Sequence, residues 1–475
     1  MMHPLMRMAA LTAVLAVAGC GALTKTAYQR PAVSIPTQWR APQDLALTQA
    51  HVALRSDPWW HAFGDAQLNA LVDQVLQSNQ VLATSTLRIK QAEQSLALAR
   101  ATVIPSFAFG GLGVSAGQNF RSPVAKTHSK SFDGASLSYT VDLWGTLASR
   151  FDAARWEAMA AKEDWETMAL DQIGATVSLY GALANLAQQL DQSEQSIRLA
   201  RRTLEFAQIR NRFGAISTTD RMQAEQALVQ ELKGHASLVA QKAHFEHAMS
   251  MLLGAPPGSP LIVLPQTLDR PLPRVPSGLP AELLGRRPDL KAAEMRLRAS
   301  LAQVDATRTS FYPQLSLTGS LTTDIKAWAD LLKNPVGTAG AVLSFPFARW
   351  PSSSMTVSID QVQTSHDVSA LEFRQAFYRA LQEVENALAT RDANIEQLRN
   401  QMRATELALE IERRSEYAYQ RGAISLPTLL NAQHEFRFAK TSLIAIRYVH
   451  WENQVALYRA LGGSYFDNVD AKQGR

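Results

Sequence analysis

The chain has a single cysteine, Cys20, so it has no disulfide framework and no cysteine-based metal site. Beyond the N-terminus no stretch approaches 18 consecutive apolar residues, which excludes a transmembrane helix in the mature chain. No glycine-rich loop carries the Lys and Ser or Thr that cradle a phosphate, so any energy source must be another protein. The net charge is only +5 over 475 residues, with a pI near 9.2. Its Lys and Arg are spread along the chain and not massed in one stripe, which excludes nucleic acid as a partner.

What the chain does have is repetition. Gly-Ala-Ile-Ser occurs at 214–217 and again at 422–425, a spacing of 208 residues, and the same spacing carries Pro105 onto Pro313. Each copy reads in the same order: helical run, proline, alternating apolar and polar residues, then a very long helical run broken at Gly-Ala-Ile-Ser. The chain is therefore a tandem duplication, an organisation most enzymes do not have. The expected divisions are a signal peptide at 1–19, a first repeat at 20–253, a Pro-rich connector at 254–288, and a second repeat with the C-terminal tail at 289–475.

Cys20 closes a secretory signal: Arg7 supplies the positive region, 8–16 the apolar stretch, and Val17-Ala18-Gly19 the small-residue cleavage site. The segment resembles the bacterial lipobox. That resemblance implies S-diacylglycerol and an N-acyl chain on Cys20, with Gly21 directing the anchor to the outer membrane. No other cofactor is expected.

A helical pattern spans 68–100, with Leu68, Leu71, Val72, Val75 and Leu76 at helix spacing, and Pro105 ends it. Then Leu137, Tyr139, Val141 and Leu143 alternate with Ser136, Ser138, Thr140 and Asp142. In the second half Leu315, Leu317, Gly319 and Leu321 alternate with Ser316, Thr318, Ser320 and Thr322. This period of two predicts strands with one apolar and one polar face. Segments 107–115 and 341–347 supply a weaker partner strand in each half, and 117–134 and 323–338 read as polar loops. Each half next enters a helical run of about 55–65 residues, some 80–100 Å at 1.5 Å per residue. Heptads mark it: Leu183, Leu190, Ile197 and Leu204 with Ser193, Ala200 and Ala207 between them, and Leu381, Leu388, Ile395, Met402 and Leu409 in the second half. Ser217, Thr218 or Thr219, and Ser425 or Leu426 before Pro427, are candidate caps of two return helices.

Four strands of about ten residues suit a tilted crossing of a bilayer. Four cannot close a barrel, and an open edge is not viable in lipid. Several copies must share one barrel, and three copies give about twelve strands and an open lumen. The fold class is thus α plus transmembrane β-barrel: four strands per chain in a shared trimeric barrel, continued by a long coiled-coil-like helical tunnel. The alternative is a structural coiled-coil lipoprotein lying wholly in the periplasm without a channel, against which the alternating strands argue.

Residues 277–290, Ser-Gly-Leu-Pro-Ala-Glu-Leu-Leu-Gly-Arg-Arg-Pro-Asp-Leu, with Ala292-Ala293-Glu294 after them, closely resemble the signature of the TolC-like outer membrane factors. The likeness is to their lipoprotein branch, the OprM and NodT type. Trp59-Trp60 with Phe63-Gly64-Asp65, the segment 139–145 and both Gly-Ala-Ile-Ser tips also fit. The resemblance implies a homotrimer in the outer membrane, lipid-anchored and extending into the periplasm. It also implies passive export of small molecules on docking to a periplasmic adaptor and an inner-membrane pump of RND or ABC type.

Other motifs read blandly. Gly113-Val114-Ser115-Ala116-Gly117 matches a nucleophile elbow but is followed by a polar loop with no helix, so no catalytic residue is assigned. His235, His244 and His247 lack the carboxylates or cysteines of a metal site. Arg286, Arg287, Pro288 and Asp289 stand at a helix start, where Asp289 suits the positive end of the dipole as a structural motif.

The tips are the candidate functional surface: Arg212, Gly214, Ala215, Ile216 and Ser217, and Arg421, Gly422, Ala423, Ile424 and Ser425. Glycine permits the tight turn, and the small apolar residues are expected to be exposed contacts. The resemblance implies that these tips meet the adaptor. It also places Asp220 on a gate aspartate and Tyr419 on a gate tyrosine, with Thr428 and Asn431 on two acidic ring positions and Ile424 on a basic one. That leaves closure to packing and Tyr419 hydrogen bonds.

Overall fold

A computed structural model describes residues 24–40, 58–109, 112–118, 126–259, 272–273, 280, 283–324, 336–348 and 353–463. The signal segment with Cys20, most of the expected connector and the C-terminal tail lie outside the described residues. After a 3-10 turn at Trp59–Phe63 come α1 (Ala66–Ser78), α2 (Gln80–Ala101), β1 (Ser106–Phe109), β2 (Leu112–Gln118) and β3 (Lys126–Val141). Then follow α3 (Thr146–Arg212), α4 (Thr218–Leu252), α5 (Leu283–Arg286), α6 (Pro288–Ser310), β4 (Gln314–Asp324), β5 (Val336–Ser344), α7 (Ser353–Gln420) and α8 (Leu426–Ala460). The 208-residue repeat is written into these bounds: α4 maps onto α8 residue for residue, α2 starts 208 positions before α6, and α3 and α7 run for 67 and 68 residues.

Two compact units result. One holds residues up to Val33, Leu87–Asp164 and Asp289–Ala376; the other holds Ser34–Thr86, Trp165–Pro288 and Phe377 onward. Each unit draws on both repeats.

In the first unit the sheet is antiparallel, ordered β1–β3–β4–β5, with β2 pairing the N-terminal part of β3. Because β1 and β2 lie end to end along β3, the sheet is four strands wide. Register keeps Phe107, Leu137, Gly319 and Ala339 in one row and Tyr139, Leu317 and Ala341 in the next. The residues between them, Ser136, Ser138, Thr140, Ser316, Thr318, Ser320 and Thr338, share the opposite face. The apolar face is bare: Phe107, Phe109, Leu137, Leu317, Leu321 and Leu343 are all exposed.

Three expectations are corrected here. The strand ends at Val141, and Leu143 is in a turn whose amide donates to Val141 O. Asp142 is the reason: its carboxylate accepts from Leu147 N (3.1 Å) and Ala148 N (2.8 Å), capping α3. The segment 117–134 is not simply a loop, since β3 begins at Lys126 and β2 runs to Gln118. The β-formers there are sparse, and cross-strand pairing overrides weak local propensity. In the second half β4 likewise extends to Asp324 and β5 starts at Val336, before the expected partner strand. Ser115 pairs with Ser129 in mid-strand, far from any strand-to-helix elbow.

An N-terminal strap lies along this unit. Thr24 Oγ1 donates to Trp144 O (2.7 Å), and Thr26 N and Oγ1 donate to Asp305 (2.8 and 2.6 Å). Arg30 Nη2 donates to Glu294 (2.5 Å), and the Arg298 guanidinium sits 4.3 Å over the Tyr28 ring.

In the second unit Trp59, Trp60, Phe63, Trp451 and Tyr458 form an aromatic core, with Trp59 stacked on Tyr458 at 5.0 Å. The expected single helix over 68–100 is broken at Asn79, which is extended and whose Oδ1 accepts from Val81 N and Leu82 N, ending α1 and capping α2. In the first long helix the seam is buried at Leu183, Ile197, Ala200 and Ala207. In α7 the heptad is only part core: Leu388 is buried, whereas Ile395 and Met402 are each 44% exposed. Among the described residues nothing fully covers that stretch of the second seam.

Candidate functional site: the paired hairpin turns

Both long helices end in the same way. Gly214 takes φ +71° and Gly422 φ +75°. Ala215 N donates to Arg210 O (2.8 Å) and Gly214 N to Asn211 O (3.0 Å); Ala423 N donates to Ala418 O (2.9 Å) and Gly422 N to Tyr419 O (3.0 Å). This pair of bonds satisfies carbonyls the helix leaves without partners, and it requires a left-handed residue that glycine supplies without strain.

The return helices are capped differently. Ser217 and Asp220 form a reciprocal box: Asp220 N donates to Ser217 Oγ (3.0 Å), and Asp220 Oδ2 accepts from Ser217 N (3.1 Å) and Oγ (2.8 Å). The equivalent of Asp220 is Thr428, whose Oγ1 lies 2.9 Å from Ser425 Oγ, and the Ser425 side chain caps no backbone amide of the helix. Pro427 in the first turn of α8 removes one of the donors a cap would serve.

The two turns pack together around a buried cluster of Ala207, Ala224, Tyr419, Leu426 and Leu429, against which Leu204, Ile216, Ile424 and Leu430 lie half-buried. The expectation that Ile216 and Ile424 are exposed contacts is therefore corrected: each is half-buried against a cluster drawn from both hairpins, as an apolar side chain next to such a cluster should be. The exposed turn surface is Arg212, Gly214, Ala215 and Ser217 with Phe213, and Arg421, Gly422, Ala423 and Ser425. Phe213, 81% exposed, was missed because a lone aromatic at a helix end carries no periodic signal.

Of the expected gate residues, Asp220 is held by its own cap, and Thr428 and Asn431 are exposed. Tyr419 is 5% exposed, and its hydroxyl has no hydrogen-bond partner among the described residues. Its ring is instead faced by the Arg210 guanidinium at 4.4 Å, while Arg421 lies 4.2 Å over Tyr417. Arg210 was not anticipated; only the folded hairpins bring it to Tyr419.

Away from the turns, Arg287 Nη1 donates to Glu383 Oε2 (2.7 Å) and Ala460 O (3.0 Å), Asp289 Oδ1 accepts from Leu290 N (2.9 Å), and Pro288 starts α6. Arg286 lies beside Gly462 at the end of α8. His244 and His247 are exposed on α4.

The family model described as outer membrane efflux protein matches residues 71–255 and 279–463, two matches 208 residues apart. The chain belongs to the outer membrane efflux protein family. Among its relatives, the pyoverdine export outer membrane protein OpmQ of Pseudomonas aeruginosa is 28% identical over 470 residues, covering 96% of each chain. The cation efflux system protein CusC of Escherichia coli K12 is 25% identical, over 94% of this chain and 97% of its own. Among solved structures, CusC matches with a TM-score of 0.81 at 24% identity (93% and 99% of the chains). The CmeC outer membrane channel of Campylobacter jejuni matches with 0.84 at 20% (95% and 97%). As a member of this family, the protein is an outer-membrane efflux channel and not an enzyme, which removes the periplasmic coiled-coil alternative.

Proposed function

We propose that three copies share one twelve-stranded barrel as the exit duct of a tripartite export system. On this reading the hairpin turns form the periplasmic mouth, where a periplasmic adaptor docks and an inner-membrane pump of RND or ABC type delivers the cargo. The observation that carries the reading is the four-strand sheet, with one bare apolar face, one Ser/Thr face, and outer edges at β1–β2 and β5 that pair with no further strand among the described residues. In hydrocarbon each unpaired backbone group costs several kcal/mol, so such edges must meet those of other copies.

The helices supply a second support. On α4, Met222, Val229, Leu232 and Val239 form a stripe 41–57% exposed, while α7 exposes Ile395 and Met402, one heptad apart on one face. A head-to-tail contact between the α4 stripe of one copy and the α7 stripe of the next buries both, and such contacts close into a ring.

Cys20 is the expected lipid-bearing residue, carrying S-diacylglycerol and an N-acyl chain. Thr24, four residues on and so within about 14 Å of extended chain, is bonded to Trp144 O. Trp144 and Tyr312 meet edge to face (5.4 Å) where the strands join the helices. Aromatic residues at strand ends suit a membrane interface, so an anchor leaving there enters the leaflet beside the barrel rim.

Native mass measurement in detergent tests the assembly, with three chains expected. A monomer released without detergent overturns it. Palmitate labelling of wild type and Cys20→Ser tests the anchor, and equal labelling of both overturns that part.

A further inference from the structure

The turns are joined by one side chain that crosses from the first to the second. Arg210, in the last turn of α3, donates through Nη2 to Tyr419 O (3.1 Å) and Gln420 O (3.4 Å), the terminal carbonyls of α7. Its guanidinium carbon also lies 4.4 Å from the Tyr419 ring centroid. One terminal nitrogen reaches both carbonyls while the flat guanidinium faces an aromatic ring, a combination that suits arginine better than lysine. Asp220 takes no part in it, because its carboxylate accepts from Ser217 N and Oγ.

The repeat sharpens the point. The position 208 residues after Arg210 is Ala418, and the position 208 before Tyr419 is Asn211, whose amide donates to Ile216 O within its own turn (3.1 Å). The clasp is therefore made once per chain, in one direction, and duplication has not preserved it on the other side.

We propose that Arg210 is the positioning residue that holds the second hairpin turn against the first, and so sets the resting width of the periplasmic mouth. The proposal rests on the reading of the turns as that mouth. It moves the latch from Asp220 and the Tyr419 hydroxyl to the Arg210 guanidinium and the Tyr419 ring and carbonyl.

The test uses the full-length trimer in planar bilayers together with amide hydrogen exchange. Arg210→Ala is expected to raise resting conductance about tenfold, the shift in equilibrium that loss of one charge-assisted hydrogen bond brings, and to speed exchange at Gly422 and Ala423 but not in the sheet. Arg210→Lys should restore only part of the closure. Tyr419→Phe should match wild type, since it keeps the ring and the carbonyl. An Arg210→Ala trimer with wild-type conductance, or Tyr419→Phe opening the channel as far as Arg210→Ala does, overturns the proposal. If Arg210→Ala does not assemble, Tyr419→Leu removes the ring face while keeping an apolar side chain, and the same two readings apply. Faster exchange with unchanged conductance also overturns it, because the clasp would then exist without setting the mouth. A wild-type trimer that never conducts would instead count against the mouth itself, and exchange would still judge the clasp.

Discussion

Asn79 and Arg287 stand 208 residues apart and do the same work with different chemistry. Asn79 Nδ2 donates to Leu252 O (2.9 Å), and Arg287 Nη1 donates to Ala460 O (3.0 Å); those carbonyls, at the ends of α4 and α8, are themselves 208 apart. Asn79 also accepts from the first amides of α2. Arginine has no acceptor, and Pro288 follows it where an amide would need one. The second repeat thus replaces an asparagine cap by an Arg-Pro pair and adds Glu383 to balance the charge.

Arg287→Ala should therefore cost about 2–3 kcal/mol, since it leaves a buried helix-end carbonyl unpaired. Arg287→Lys should recover only part, because an ammonium can meet Glu383 and Ala460 O, both served by Nη1, but lacks the longer, planar guanidinium. Asn79→Ala should cost about 1–2 kcal/mol for the lost cap. Thermal unfolding of the detergent-purified trimer reads all three; an Arg287→Lys melting point equal to wild type would count against the account.

Much of this was legible before folding. The 208-residue repeat, the two long helices, the alternating strands and the turn glycines all announce themselves, because periodicity and Gly are local signals. What was not legible depends on contacts between distant residues. The break at Asn79 is fixed by Leu252, the partial burial of Ile216 by a cluster that both hairpins supply, and the role of Arg210 by a turn 209 residues further on. The extent of β3 was misjudged for the same reason, since its sparse β-formers are held by pairing with β2 and β4.

Gly181 allows α8 to approach α3. A Cβ there collides with the Trp451 indole, whose Nε1 donates to Val177 O (3.0 Å). Gly181→Ala should destabilise by about 1–3 kcal/mol through overpacking. Gly174→Ala meets only the flexible stem of Arg459 and should cost less. Equal melting-point losses for both would show that helix propensity and not packing decides.

At the turns, Phe213→Ser should impair export with trimer yield unchanged, because the ring is 81% exposed and supports no fold contact of comparable size. Ile216→Asp should instead loosen the turn itself by placing a carboxylate beside the buried cluster. Adaptor co-purification, with native mass as control, separates the two; a Phe213→Ser protein that still binds adaptor normally would remove Phe213 from the docking surface.

Acid should weaken the strap. Burial pushes the Glu294 carboxyl upward, but hydrogen bonds from Arg298 and Arg30 and their charges outweigh it, so its pKa lies below the ordinary 4.5. Its stabilising contribution is full above that ordinary value and is lost as pH falls through the lowered one. Unfolding across the acid range should show wild type and Glu294→Gln converging as pH drops; a gap that stays constant would mean that Glu294 does not titrate with the fold.

The unequal caps give the last prediction. Asp220 closes a box with Ser217, whereas Thr428 at the equivalent position only meets the Ser425 hydroxyl. Thr428→Asp should complete the missing box and stabilise the start of α8 by about 0.5–1 kcal/mol. In a trimer it also adds three carboxylates at the mouth, and three charges within about one Debye length of 8 Å are not erased by salt. Cation preference should rise in Thr428→Asp, rise further with Asn431→Asp, and fall in Asp220→Asn, which also loosens its own cap. Reversal potentials under a salt gradient decide between two outcomes. A stabilised α8 with unchanged selectivity would mean that the cap is right but that position 428 does not line the constriction.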